Sequence, residues 1–509
     1  MTAPFRDVNP LSMMKRIPWR KILSCIGFLL LLLVTLIVLA GTWFSYQGRR
    51  EWAETKAELQ RRGEVLSLSD IVFPPLPPEQ NFFADPIWEP NAEGKIELFD
   101  MQISAKEAAA LQKQFPSLAE SIKEGKCADV GRVINRRALN RSYTPEEAAL
   151  VLATYEPMKS DFATLHRLAL RSAARFPINY EKGTAMLLPH LNALMKSGQI
   201  LAMMARAKAV LKQENSGADE MLLILRLPQT VDDDVTLISY LVKLSLYSIA
   251  ISVIETSVSD WNANQAGQVQ HALVNADILW QVVGILRGER AFGNQVMDQL
   301  KKAPLGEFTK TLQTAGGVSE SGEQWSFPQE LLLGAYQFAF FDGDRAFLNQ
   351  TYQKWLDYLS SEPGQVTPAM LEALNANIDE SLRGVNRYRR LVTYLAIPAV
   401  KEMFARAASI EAGLRQARIA CAIQEYALSE KALPSSLDQL VPKYLDEIPR
   451  DVINGGPMHY RSDGKEYVLW SVGWNEKDDG GVSSPNERSP QKKLDWVWKG
   501  RLPDAAAMP

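Results

Sequence analysis

The sequence predicts an α+β chain that is predominantly α: a single N-terminal transmembrane helix, an irregular α-helical body, and a small C-terminal module of one long helix on an antiparallel sheet. Three observations carry that reading. One long apolar stretch near the N-terminus, Ile22 to Phe44, contains no charge. Helical spacing and helix-start signals fill the chain from about Ser104 to Leu428. Alternating apolar and aromatic runs separated by turn residues mark the last hundred residues.

At 509 residues the chain exceeds one ordinary hydrophobic core, so two or more domains are expected. Its 46% hydrophobic and 23% charged residues are those of a folded protein. The formal net charge of -3 is spread without long runs of one sign, which argues against the basic face of a nucleic-acid-binding protein. The expected parts are a cytoplasmic tail (1–21), the anchor (22–45), a juxtamembrane helix and Pro-rich spacer (46–103), the helical body (104–398) and the C-terminal module (399–509).

The apolar stretch reads IGFLLLLLVTLIVLAG at its centre, and about 23 residues cover the ~30 Å hydrocarbon core with some tilt. Trp19 stands at one edge and Trp43, Phe44 and Tyr46 at the other, as interfacial aromatics do. Arg6, Lys15, Arg16, Arg20 and Lys21 precede it and Arg49, Arg50 and Lys56 follow it, so the positive-inside bias is weak. It is the short N-terminal tail with almost no acid that favours a cytoplasmic N-terminus. A signal peptide cleaved after Val38-Leu39-Ala40 is disfavoured, because the stretch outruns the usual h-region. A second apolar run, Val235 to Ile254, holds Lys243 near its middle together with Ser239, Ser245, Ser248 and Ser252. A central lysine costs about 2.5–3.5 kcal/mol on insertion, so this run is expected to be a buried helix of the body. Asp232-Asp233-Asp234 is expected to cap it and complement its dipole.

After the anchor, Arg49 to Gly63 is helix-prone and continues the membrane helix. Pro74, Pro75, Pro77 and Pro78 then impose an extended segment, a stiff spacer that ends in docking aromatics Phe82, Phe83 and Trp88. Within the body, Thr144-Pro145-Glu146-Glu147 is a capping box with proline at the first helical position, and Thr367-Pro368 repeats its start. Gly and Ser clusters at Ala315–Gly322 and Ser360–Gly364 mark breaks. Glu289-Arg290 reads as a buried ion pair that fixes helix packing. Further on, Met403, Ala407, Ile410, Leu414, Ala417 and Cys421 form one apolar helical stripe. Met458–Arg461 and Tyr467–Val472 flank Ser462-Asp463-Gly464 as a hairpin, and Leu494, Trp496 and Trp498 alternate as a third strand.

From Ala417 onward the order is a helix with Tyr426, Leu433-Pro434, Tyr444-Leu445, Pro449-Arg450-Asp451, Gly456-Pro457, Tyr460, Tyr467, Ser471-Val472-Gly473, Asp478-Asp479-Gly480-Gly481 and Asp495-Trp496. Over roughly 415–500 this resembles the globular part of the major pseudopilin of type II secretion systems. The resemblance implies a helix packed on a small sheet and an acidic Gly-rich loop that binds calcium. Asn475, Asp478 and Asp479 would supply ligands, Gly480 and Gly481 the tight turn, and Asp495 would close the site from the next strand. The chain departs from the family where Trp474-Asn475-Glu476 replaces its Asp-Gly. At the anchor, Leu32 stands where the processed segment after Gly27-Phe28 needs Glu, so an assembled pilin is not expected. The whole layout, with its Gly288-Glu289-Arg290-Ala291-Phe292 segment, also resembles a group of bacterial envelope proteins. That implies the bacterial inner membrane, with the body periplasmic.

Signals for chemistry are sparse. His166, His190, His271 and His459 are scattered, no Cys-x-x-Cys occurs, and no phosphate-cradling Gly loop or Glu-x-x-His pair is present. Val318-Ser319-Glu320-Ser321-Gly322 lacks the preceding strand of a nucleophile elbow. Cys127 and Cys421 are expected as packed thiols. No catalytic residue is assigned. The expected function is that of a non-enzymatic, membrane-anchored envelope protein with a partner-binding body and a pseudopilin-like interaction module. The alternatives are an accessory part of a type II secretion-like or pilus-like machine, and an enzyme whose site is assembled from scattered residues.

Overall fold

The computed structural model describes residues 19–71, 73, 74, 76–137, 142–276, 278–315, 327–361, 366–483, 490 and 494–503. Arg6, Lys15 and Arg16, the break after Ala315 with its Ser319, and the break around Pro363 lie outside the described residues. The helices in chain order are α1 (Trp19–Arg61), α2 (Ala105–Gln114), α3 (Cys127–Arg137), α4 (Pro145–Tyr155), α5 (Lys159–Ala169), α6 (Pro189–Val210), α7 (Ala218–Arg226), α8 (Leu237–Ser257), α9 (Ala263–Val274), α10 (Gln281–Lys302), α11 (Leu305–Ala315), α12 (Phe327–Ala339), α13 (Phe341–Ser361), α14 (Pro368–Ser381), α15 (Asn386–Arg389) and α16 (Leu391–Glu430). A two-stranded pair, β1 (Gln102–Ile103) and β2 (Gly125–Lys126), precedes α3. The C-terminal sheet is β3 (His459–Ser462), β4 (Glu466–Ser471) and β5 (Trp496–Arg501), antiparallel in that order.

The first helix is unbroken over 43 residues, about 65 Å at 1.5 Å rise per residue. Its large apolar side chains between Leu23 and Leu39 stand 44–65% exposed, and it is long and apolar enough to cross a membrane. Its second half is built into the body against α13. Gly48 meets Gly343, Gln350 Nε2 donates to Thr55 Oγ1 at 2.9 Å, and Arg62 pairs with Asp357. Each of these pairs is 295 residues apart, and they recur every seven residues. The two helices therefore run parallel in one register, as in a left-handed coiled coil. A Cβ on Gly48 would lie 2.7 Å from Gly343 N, so the crossing requires glycine.

Helix α10 locks this arrangement. A Cβ on Gly288 would lie 1.9 Å from the Val235 carbonyl oxygen, so the chain before α8 touches the α10 backbone. Glu289 accepts from Leu237 N at 3.1 Å at the start of α8. Arg290 turns the other way, donating to Glu64 Oε2 at 2.6 Å, to Gln353 Oε1 at 2.7 Å and to Val65 O at 3.3 Å. The expected buried charges are present, but Glu289 and Arg290 serve different partners instead of each other.

The second apolar run is the core helix α8, packed on α6, α7, α10 and α16. Its Lys243 is buried and donates to Asp232 and Gln281. The acidic triplet is not its cap; Thr236 is, accepting from Ser239 N. Asp232, Asp233 and Asp234 instead pair one by one with Lys243, Arg175 and His190.

The Pro-rich segment lies along the body, and α1 already meets α13 at Gly48 before that segment begins. Phe82 N donates to Ala173 O at 2.9 Å, and Arg175 and Arg171 donate to the carbonyls of Pro74 and Pro78. Phe82, Phe83 and Trp88 are buried. The Thr144 capping box and the Thr367 cap form as the sequence predicts. Cys127 and Cys421 are buried free thiols.

Helix α16 packs against α8, α9, α13 and the C-terminal sheet, and Gln416 Nε2 donates to Trp496 O at 2.6 Å. The boundary expected at 399 falls inside it. One contiguous cluster of buried side chains runs from Phe82 to Trp498, so body and C-terminal module share a core. Asp451 of the Pro-Arg-Asp turn, 1% exposed, accepts from Ser471 Oγ and from the amides of Ile453 and Val472.

Candidate functional site

A cleft of about 720 Å³ opens between α3, α6, α8 and the end of β5. Residues on one face of α6, Gln199, Met203 and Arg206, form one wall. The hydroxyl stripe Ser248, Ser252 and Thr256 of α8 forms the other, at the four-residue spacing that keeps one helical face. Arg132 and Asn135 of α3, Tyr143, Asp260 and Arg501 also line it, so one carboxylate faces the cleft beside the three arginines. Arg206 is the centre of the site. Its Nη2 donates to Ser252 Oγ at 2.7 Å, while its buried Nε has no partner among the described residues. Burial pulls the guanidinium pKa below its usual value, and Tyr143 and Glu255 offset this in part. Ser257 Oγ, 1% exposed, is also without a partner among the described residues. Fixed guanidinium and hydroxyl donors around an open volume suit a carboxylate or phosphate group.

A second cleft of about 530 Å³ lies under the Pro-rich segment, lined by Phe73, Pro74, Arg175, Phe176, Tyr180 and Asp234 among others. Behind it His190 Nε2 lies 2.9 Å from Asp234 Oδ2, and the ring stacks on Phe176 at 4.2 Å. A histidine oriented by a carboxylate is half of a general-base arrangement. Here the ring is 0% exposed and sealed by Phe83 and Phe176, so the pair ties α6 to the segment before α8.

In the acidic loop the structure joins Asn475 to Asp479 and sets Asp495 against the loop amides, while Asp478 turns to Trp470 and His459. Asp479 Oδ2 accepts from Asn475 Nδ2 at 2.8 Å. Asp478 Oδ1 accepts from Trp470 Nε1 and Gly480 N, both at 2.9 Å. Asp495, fully buried, accepts from the amides of Asp479, Gly481 and Val482. Hydrogen bonding from Trp470 and Gly480 and the nearby His459 hold the Asp478 carboxyl below its usual pKa against a small opposing effect of burial. These oxygens face protein donors, and a calcium ion would have to displace them. Among the described residues no group of three or more His, Cys, Asp or Glu side chains is arranged to hold a metal ion.

The arginine cleft was missed in the sequence because its walls come from four separate elements. One signal was present: Ser248 and Ser252, two of the serines that interrupt the second apolar run, line the cleft. Comparison of the chain with protein-family models, with curated proteins and with solved structures finds no match.

Proposed function

We propose that the chain is a non-enzymatic, single-pass membrane protein of the bacterial envelope whose helical body is a partner-binding scaffold. The observation that carries this reading is the continuity of α1, which is apolar and exposed over its first half and built into the core over its second. Such a helix holds the body at a fixed angle to the bilayer, which a flexible linker does not. Arg20 and Lys21 at its start support a cytoplasmic N-terminus and a periplasmic body at the inner membrane. The Arg206 cleft supports recognition of an anionic group on a protein partner. The long helix on a three-stranded sheet supports a pseudopilin-like interaction module, and with it the second reading, an accessory role in a type II secretion-like machine.

The test is extraction and protease protection of the full chain in cells. The protein is expected to stay in the membrane pellet through alkaline carbonate, and its body to be digested in intact spheroplasts. Release by carbonate overturns the anchor; digestion that requires lysis overturns the orientation.

A further inference from the structure

Helix α12 turns apolar side chains outward where a surface helix turns polar ones. From Leu331 to Ala339 its inward residues are Leu333, Tyr336 and Ala339, and its exposed residues are Leu331, Leu332, Ala335 and Phe338. The three large ones are 65%, 68% and 57% exposed. These four positions share one helical face, and none of the described side chains of α12 is charged. At 13 residues the helix is too short to span a bilayer.

Its position supplies the reason. A Cβ on Gly41 would lie 3.3 Å from the Phe338 ring. Gly41 belongs to the charge-free stretch of α1, three residues or about 4.5 Å of helix short of its end at Phe44. The Phe44 and Phe340 rings are 5.2 Å apart, and the Arg389 guanidinium lies 4.7 Å and 5.2 Å from their centres. The level at which α1 would leave the hydrocarbon is therefore also the level of the end of α12 and of α15. There Trp43, Tyr46 and Tyr388 are exposed, and so are Arg387 of α15 and Arg383 three residues before that helix. An apolar face, then aromatic rings, then arginines is the order of acyl chains, interface and anionic headgroups.

We infer that α12 is a second membrane contact, lying in the leaflet from which the body emerges. Its Leu331–Leu332–Phe338 face enters the acyl region, and Arg383 and Arg387 meet the phosphates of anionic lipids. The inference rests on the reading of α1 as a membrane anchor. Two contacts, a spanning helix and an inserted one, fix the tilt of the body as well as its attachment.

The experiment uses the full chain in vesicles of phosphatidylcholine with phosphatidylglycerol. Cys25 is replaced by serine, and single fluorophores are placed through Leu332→Cys, Leu36→Cys or Leu170→Cys. Leu36 reports the charge-free stretch of α1, and Leu170, 87% exposed at the end of α5, is the solvent-exposed reference. Label at 332 is expected to be quenched by nitroxide lipid to an extent comparable with 36, and to be several-fold less accessible to iodide than label at 170. Quenching at 36 with iodide access at 332 leaves the anchor standing and overturns the second contact. Shielding of 332 from both quenchers means that protein covers α12, a second copy or a partner, and overturns it equally. Absence of lipid quenching at 36 overturns the anchor reading itself. Arg383→Glu with Arg387→Glu should reduce quenching at 332 in phosphatidylglycerol vesicles and not in pure phosphatidylcholine; equal quenching in both removes the headgroup contact.

Discussion

The ion pair at the exit of α1 allows a prediction with an internal control. Glu64 is 8% exposed and Arg290 0%, while Arg287, the other partner of Glu64, is 43% exposed. Burial pushes the Glu64 carboxyl pKa up, and hydrogen bonds and charge from Arg287 and Arg290 more than reverse this. Glu64→Gln leaves the sealed Arg290 guanidinium with neutral acceptors alone, and breaking a buried pair from one side costs about 3–5 kcal/mol. The glutamine oxygen still accepts one bond, which sets the expectation near ~3 kcal/mol. Arg290→Met leaves Glu64 with a partner in Arg287, so its cost falls to about 1–2 kcal/mol. Glu64→Leu combined with Arg290→Met removes both charges, and such replacements are often near neutral. The double variant should therefore be more stable than Glu64→Gln. Urea denaturation of the detergent-solubilised full chain, with trypsin cleavage after Arg61 and Arg62 as a local readout, measures all three. Equal costs for the two single substitutions, or a double variant no more stable than Glu64→Gln, would refute the account.

Gly284 and Gly288 lie one turn apart on α10 and should respond in opposite directions. An added Cβ at 284 meets nothing within 4 Å, so Gly284→Ala should stabilise by about 0.5–1 kcal/mol, whereas at 288 it strikes the Val235 carbonyl and should cost about 3 kcal/mol, the upper end for overpacking; paired urea midpoints decide. Burial pushes the Glu425 carboxyl up to about 7 from an ordinary 4.5. Because the folded state binds this proton more tightly, stability should fall as pH rises from about 4.5 to about 7 and level off above. The drop is at most about 3 kcal/mol, less for its partial exposure, and a Glu425→Gln variant with an unchanged slope between pH 5 and pH 8 would defeat the assignment. Asp495→Asn keeps one acceptor oxygen but turns an amide donor toward backbone donors, so the 475–482 loop should loosen at a cost of about 1–3 kcal/mol, seen as faster limited proteolysis there with the rest of the body unchanged.

What could be read from the sequence was local. The charge-free run, its continuation past Arg49, the Thr144 and Thr367 helix starts, the lysine that keeps α8 in the body and the Ser462-Asp463-Gly464 hairpin each depend on a few neighbouring residues. What could not be read was partnership. The acids at 232–234 look like a cap because a cap is what neighbouring residues allow; their partners lie as far away as Arg175 and His190. The adjacent charges of Glu289 and Arg290 look like a pair, yet side chains one residue apart on a helix point about 100° apart, so each finds its partner on a different neighbour. The spacing of Gly48, Thr55 and Arg62 carries meaning only once Gly343, Gln350 and Asp357 are set beside it, 295 residues on. The Pro-rich segment shows the same limit. A proline run reads as a spacer when nothing upstream of it touches the body, but α1 is already inside the body when the prolines begin. On the proposed reading of α1 as the anchor, membrane attachment and folding of the core are coupled in one helix, and a change at Gly48 or Glu64 should then alter how the body stands on the bilayer before it alters any binding surface.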